Sequence, residues 1–206
     1  MTREGDIVEP RGSTLKGLNT SKDAGKLVKL TKLNRTVCVR LTVSPEDSAK
    51  LSETHALYRD ASNFVVPIVY KNKGSRLWQR FALHHVAYSK IRETFPALGA
   101  QLACNVIRSV SSAYKTELAN HPQQLKQPEL KAIRFKNPSV HLDKNTITYR
   151  EDGTVSLYTL KGRVEATPAP GDRQTELLTS GKRKESNLVL HRGYGKRPDF
   201  WELHIT

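Results

Sequence analysis

The stretch TVCVRLTVSPED, residues 36–47, decides how the rest of the chain is organised. Apolar and polar residues alternate over residues 36–43, the period-two pattern of a half-buried β-strand. Ser44 then offers an N-cap, Pro45 suits a first helical turn, and the two acids after it match the positive end of a helix dipole. The sequence therefore predicts a strand that leads directly into a helix. Because a lone strand has unpaired edges, we expect its partners later in the chain.

Three amphipathic helices are predicted to follow this strand. The first begins after Ser44, and Pro67 is expected to end or kink it. The second covers about residues 76–94 and the third about residues 100–118, with a Phe-Pro-Ala-Leu-Gly break between them. Three consecutive helices of this kind can bury their apolar faces against one another as a small bundle.

From residue 133 the pattern returns to period two. Residues 146–150 and 154–159 flank Glu-Asp-Gly, a strong signal for a β-hairpin. Two further strands are predicted at residues 187–191 and 200–205. The order of strand, helices and strands predicts an α+β fold in which one β unit is interrupted by a helical insert.

The composition is that of a folded, polar and basic protein. Hydrophobic residues make up 37% and charged residues 26% of the 206 positions, and the formal net charge is +14. Such a charge favours a polyanionic partner, because each phosphate contact releases condensed counterions. The two cysteines, Cys38 and Cys104, suit a reducing compartment, and neither has the local spacing of a zinc site. Since no segment reads as a membrane span or a signal peptide, we expect a cytoplasmic protein.

Basic residues cluster along the chain, and aromatic residues lie among them. One cluster within residues 71–92 contains no acid and consists of Lys71, Lys73, Arg76, Arg80, Lys90 and Arg92. Further cations occur at Lys182-Arg183-Lys184, at Lys196-Arg197 and on both sides of Phe135. A surface that carries cations and aromatic rings can hold a phosphate backbone and stack bases, so the pattern favours nucleic-acid binding.

Enzyme signatures are weak in this sequence. His84, His85 and Tyr88 resemble the metal-binding histidines and nucleophilic tyrosine of some single-strand nucleases. Adjacent helical residues point about 100° apart, however, so the two imidazoles are not expected to converge on one metal. Many of the acids fall in turns or helix starts, and we expect no set of carboxylates for two-metal catalysis.

Two segments, residues 84–115 and 133–163, together resemble the N-terminal half of TnpB-type transposon proteins and of their type V CRISPR effector relatives. The resemblance extends over roughly residues 29–206. The motifs that carry it are Ala113-Tyr114-Lys115, Arg134-Phe135-Lys136, Val155-Ser156-Leu157, Gly162-Arg163 and Trp201-Glu202-Leu203-His204.

The resemblance implies an α+β fold, a wedge-like β-barrel of the oligonucleotide-binding type interrupted by a three-helix recognition insert. Composition predicts a flexible basic arm at residues 1–25, which precedes the resemblance. The other predicted parts are the first part of the barrel (26–44), the helical recognition domain (45–120), a linker (121–132) and the remainder of the barrel (133–206). The resemblance also implies two partners, a structured guide RNA and target double-stranded DNA that carries a short motif beside the target.

The resemblance assigns candidate site residues to each partner. The third helix would approach the DNA motif, where Asn, Gln and Arg side chains are able to read base edges. The candidate DNA-binding residues are Trp78, Gln101, Asn105 and Arg108. The basic β segments would hold RNA, through Arg40, Arg134, Phe135, Lys136, Lys144, Arg163, Lys182, Arg183 and Lys184.

In the family a RuvC-like nuclease domain follows this region, and the present sequence stops at Thr206. We therefore expect no catalytic residue, metal or cofactor, and a separate RuvC-like nuclease subunit or a second copy would be needed for cleavage. Two alternatives stay open. One is an RNA-independent, sequence-specific DNA-binding regulator that uses the helices as a helix-turn-helix. The other is a small metal-dependent nuclease built on His84, His85 and Tyr88.

Overall fold

The computed structural model describes residues 35–180 and 185–206, all within one compact unit. The four described helices are α1 (Pro45–Tyr70), α2 (Arg80–Thr94), α3 (Ala100–Asn120) and α4 (Asp172–Ser180). The strands are β1 (Val37–Thr42), β2 (Val140–Leu142), β3 (Ile147–Tyr149), β4 (Val155–Thr159), β5 (Gly162–Ala169), β6 (Ser186–His191) and β7 (Phe200–Ile205). The predicted basic arm lies outside the described residues. None of the described helices has the length and apolar character that a membrane crossing requires.

The seven strands form one antiparallel sheet that curls into a nearly closed, barrel-like shape. Their order is β2-β6-β7-β1-β5-β4-β3, so β1 lies in the middle, between β7 and β5. Val37 is opposite Ile205 of β7, and Leu41 is opposite Pro168 of β5. The expectation that the first strand finds its partners after residue 133 is therefore confirmed.

The junction between β1 and α1 follows the sequence pattern. Val37, Val39 and Leu41 are buried, and the Ser44 hydroxyl accepts a hydrogen bond from the Asp47 amide at 3.1 Å. Pro67, by contrast, does not end the helix, which continues to Tyr70. The proline ring lies on the exposed side, while the buried side of the same turn packs into the core and holds the helix together.

The other predicted elements are present with small shifts in their bounds. Helix α2 begins four residues later than expected because a 3-10 turn, Lys73–Ser75, and a left-handed Arg76 (φ +50°) precede it. The predicted hairpin is β3–β4, and the last two predicted strands pair as β6–β7. Strands β2 and β5 and helix α4 were not predicted as separate elements.

Helices and sheet share one continuous hydrophobic core. Trp201 of β7 is almost fully buried, and its indole N–H donates to the Ser48 hydroxyl of α1 at 3.1 Å. The His55 ring of α1 lies edge-on to the same indole, with the centroids 6.0 Å apart. Because α1 and β7 bury the same side chains, we expect helices and sheet to unfold together.

Candidate nucleic-acid interface

The acid-free cluster of residues 71–92, which we call the basic segment, runs from the end of α1 through α2. Its six cations are Lys71, Lys73, Arg76, Arg80, Lys90 and Arg92, and within the described part of the chain none of them forms an ion pair. Lys73 and Arg92 donate to backbone carbonyls at 2.8 and 3.4 Å. Arg76, Arg80 and Lys90 are exposed, so their charges are available to an outside partner.

Helix α2 presents most of its surface to solvent. Only Leu83, Ala87 and Ile91 are buried, a narrow stripe at helical spacing. On the exposed side Phe81 is 82% accessible, and it follows Arg80 in the sequence. An exposed ring beside an unpaired guanidinium is suited to stacking on a base while the charge meets a phosphate.

Helix α3 differs from what the sequence predicted for DNA reading. Asn105 is only 2% exposed, and its amide donates to the His141 carbonyl of β2 at 3.0 Å. The expectation that Asn105 is a surface residue able to reach a base edge is therefore wrong. Its polar group joins α3 to the sheet, because a buried amide without a partner would destabilise the fold.

The other candidate DNA-binding residues of α3 also contact the sheet side of the molecule. Gln101 donates to the Asp143 carboxylate and accepts from the Asn145 amide at 3.3 Å. Arg108 forms an ion pair with Glu185. Both side chains are half-buried, so a duplex would have to displace these contacts to reach them.

Trp78, the fourth candidate DNA-binding residue, precedes α2. Its side chain is half-buried and packs against the hydrophobic core. Its carbonyl accepts a hydrogen bond from the Ser111 hydroxyl of α3 at 2.7 Å. This contact fixes the loop before α2 to α3 and so positions the start of the basic segment.

The predicted RNA-binding residues around Phe135 lie beside α1 on a segment without regular secondary structure, not on a strand. Arg134 and Lys136 are exposed, while the ring of Phe135 packs against the core. The Asn63 side chain fixes this segment, since it accepts from the Phe135 amide and donates to the Phe135 carbonyl, both at 2.9 Å. The two cations are thus held outward by a fixed backbone. Lys144, in the turn between β2 and β3, is exposed as well.

Two predicted RNA-binding arginines have partners within the sheet. The Arg40 guanidinium lies 4.7 Å from the centre of the Phe200 ring, a cation–π contact between β1 and β7. Arg163 lies across β4 and β3, donating to the Ser156 hydroxyl at 2.8 Å and to the Thr148 hydroxyl at 3.0 Å. These contacts join strands, so Arg163 has fewer donors left for a phosphate. Lys182, Arg183 and Lys184 lie outside the described residues.

The tip of the β6–β7 hairpin was not among the predicted site residues. Tyr194 there is 92% exposed, with Lys196 and Arg197 just after it. Asp199 closes the base of the loop by accepting from the Gly193 amide at 2.8 Å and pairing with Arg192 at 2.6 Å, and these two contacts lower the pKa of its carboxyl group. A Cβ at Gly193 would meet the Arg197 carbonyl oxygen at 1.9 Å, so the loop needs glycine there.

The histidine pair of the nuclease alternative packs with its neighbours. The His84 ring stacks on Tyr88 with the centroids 4.9 Å apart, and its Nε2 lies 3.7 Å from Cys104 Sγ. The His85 ring lies at 89° to that of His84. His84 is thus engaged by Tyr88 and Cys104, an arrangement typical of packing.

No family model matches this chain, and a comparison with curated proteins gives no match either.

Proposed function

We propose that this protein is a nucleic-acid-binding module that binds a structured guide RNA and helps to recognise a short DNA motif beside the target. The observation that carries the proposal is the basic segment, whose cations have no ion-pair partner among the described residues. Neighbouring cations without nearby acids repel one another and so destabilise a folded protein. Bound phosphates neutralise these cations and relieve the repulsion. The proposal concerns binding and assigns no catalytic residue.

The exposed aromatic rings favour a nucleic acid over other polyanions. Phe81 lies within the basic segment, and Tyr194 lies beside Lys196 and Arg197 at the hairpin tip. Exposure of an aromatic ring to water is unfavourable, and unstacked bases can bury such a ring by stacking on it. Because stacking needs unpaired bases, these positions favour single-stranded parts of a folded RNA.

The burial of α3 supports the RNA-dependent function over a helix-turn-helix regulator. A recognition helix must place base-reading side chains in the major groove. In α3 the buried residues include Leu102, Asn105 and Val106, so this helix has too little exposed surface for that role. We therefore assign no base-reading role to α3, and we assign Arg76 and Arg80, in α2 and the turn before it, to phosphates of the RNA. The wedge-like barrel with a recognition insert remains part of the proposal.

The first experiment is to purify the full chain from its host and to sequence the RNA that comes with it. One enriched, structured RNA is the expected result. Bulk RNA that is removed by moderate salt would contradict guide binding and would favour the regulator that needs no RNA. With the RNA in hand, DNA binding should be lost after RNase treatment, whereas a regulator would keep it.

The second experiment tests the basic segment with a charge-matched control. The variant Arg76→Ala/Arg80→Ala/Lys90→Ala removes three unpaired cations. The control Arg59→Ala/Arg150→Ala/Lys161→Ala removes three cations that are already paired with acids. For RNA binding, we expect the variant to reduce the slope of log K against log salt by about 2, since each single-strand phosphate contact contributes roughly 0.7. Equal effects of variant and control would show generic electrostatics and contradict the assigned surface.

A further inference from the structure

Three potential metal ligands meet on the outer face of the sheet, far from one another in the sequence. Cys38 lies on β1, and Glu202 and His204 lie on β7. The strand register places Cys38 directly opposite His204, and Glu202 follows two residues away on the same face. All three side chains are half-buried, so they are supported by neighbours and still reachable from solvent.

The ligand atoms are close enough to hold one cation. The Cys38 sulfur, a Glu202 carboxylate oxygen and a His204 ring nitrogen all lie within 4.8 Å of one another. In a tetrahedral zinc site, bond lengths of about 2.0–2.3 Å place neighbouring ligand atoms roughly 3.3–3.8 Å apart. The 4.8 Å limit is about 1–1.5 Å wider than that spacing, so coordination requires side-chain rotations of this size.

A fourth side chain supports the carboxylate. Glu202 Oε2 is 2.8 Å from His204 Nε2 and 2.9 Å from His191 Nε2 of β6. His191 in turn stacks on Phe200, with the ring centres 4.6 Å apart. A carboxylate that is oriented by a packed histidine has the outer-shell support typical of metal ligands.

The charges of the cluster also suit a divalent cation. A cation that binds here releases the thiol proton to solvent, and its two positive charges then balance one thiolate and one carboxylate. The nearest arginine on β1, Arg40, lies over the Phe200 ring.

We propose that Cys38, Glu202 and His204 bind a divalent transition-metal cation of the zinc class, with water in the fourth position and His191 holding the Glu202 carboxylate. Thiolate, imidazole and carboxylate together favour Zn²⁺ over Mg²⁺ or Ca²⁺, which prefer oxygen ligands only. His204 coordinates through Nε2, so its proton must lie on Nδ1, and the cation replaces the hydrogen bond between Nε2 and Glu202 Oε2. This site is independent of the nucleic-acid-binding role proposed above.

The consequence for the fold is a cross-link between its first and last described strands. Since β1 and β7 already pair through the backbone, the cation is not needed for folding. A ligand that binds only the folded state stabilises it by mass action, so Zn²⁺ should raise the melting temperature of the full chain.

The test is titration of the chelator-treated full chain with Co²⁺ as a spectroscopic probe. We expect one equivalent to bind with visible d–d bands and a thiolate charge-transfer band, and Zn²⁺ to displace it. Cys38→Ser should abolish the charge-transfer band. The matched control is Cys104→Ser, because Cys104 also lies beside an imidazole, 3.7 Å from His84, but outside the three-ligand cluster. That control should keep the band.

Further variants separate the ligands from the supporting residue. Glu202→Gln and His204→Ala should remove stoichiometric binding, whereas His191→Ala should keep the band and weaken Co²⁺ binding about 10–100-fold. Melting in the presence of Zn²⁺ checks folding, and only the chains with intact ligands should gain stability. Absence of stoichiometric Co²⁺ binding, or a charge-transfer band that survives Cys38→Ser and disappears in Cys104→Ser, would overturn the proposal.

Discussion

Helices α2 and α3 are neighbours in the chain and both read as amphipathic, yet their roles in the fold differ. α2 buries a narrow stripe and leaves its cations and Phe81 in solvent. α3 lies between the other helices and strand β2, and even its polar Asn105 and Ser111 are buried. A polar residue on a helix therefore indicates a binding surface only if the helix has a single covered side. On a helix that is covered on several sides, the same residue types join elements.

The largest expected difference between the two helices is in stability. Leu102→Ala in α3 removes a fully buried side chain and should lower the free energy of unfolding by about 2–5 kcal/mol. Phe81→Ala in α2 removes an exposed ring and should change the free energy of unfolding by no more than about 0.5 kcal/mol. Denaturant melts of the two variants measure the contrast. Similar losses for both would mean that α2 is also covered on several sides.

Asn105→Ala tests whether the buried amide is a connector or a base reader. Its loss leaves the His141 carbonyl without this hydrogen bond and should lower the free energy of unfolding by about 1–3 kcal/mol. The DNA preference of the folded variant should stay as in the parent chain. A change in the preferred motif at unchanged stability would restore Asn105 to the interface.

The contact between α3 and β2 should weaken in acid. His141 is buried, its Nδ1 lies 3.3 Å from Asn187 Oδ1, and its Nε2 has no partner among the described residues. Burial, and next the positive charge of Arg108, lower its pKa below the ordinary 6.5. As the pH is lowered, His141 is therefore protonated at a higher pH in the unfolded chain than in the folded chain. Stability should fall as the pH decreases from about 6.5 towards the lowered pKa.

Unfolding measured across this pH range checks the prediction. His141→Gln should reduce the pH-dependent loss of stability. The loss that remains comes from groups such as His55, because burial lowers the pKa of that residue as well. His85→Gln on the exposed side of α2 is the matched control and should leave the loss unchanged. An undiminished loss in His141→Gln would show that the α3–β2 contact does not sense pH.

The smallest expected effect compares single arginines of the two helices. Arg80→Ala in α2 should weaken RNA binding equally for all sequences and reduce the salt slope by about 0.7, the contribution of one phosphate contact. Arg108→Ala in α3, whose side chain is paired with Glu185, should leave the slope unchanged. Salt titrations of RNA binding by both variants test this prediction. A larger slope change for Arg108→Ala than for Arg80→Ala would contradict the assignment of phosphate contacts to α2.

Local patterns in the sequence predicted a large part of the framework. The alternation before Ser44, the cap and the Glu-Asp-Gly hairpin turn depend on residues that are neighbours in the chain, so β1, the start of α1 and the β3–β4 hairpin were predicted correctly. Strand β5 was missed as an element because its buried residues, Val164 and Ala166, are few and small. The basic segment was visible for the same local reason, because its charge lies in one stretch of chain.

Local sequence patterns were sufficient to predict the order of strand, helices and strands, the ends of most predicted elements, and the cationic character of residues 71–92. Which helix faces are covered depends on packing between elements, as Asn105 shows. The tertiary structure also decided which residues meet across strands. Cys38 and His204 are neighbours through the β1–β7 register alone, since backbone hydrogen bonds between distant strands bring together side chains that no spacing in the sequence connects.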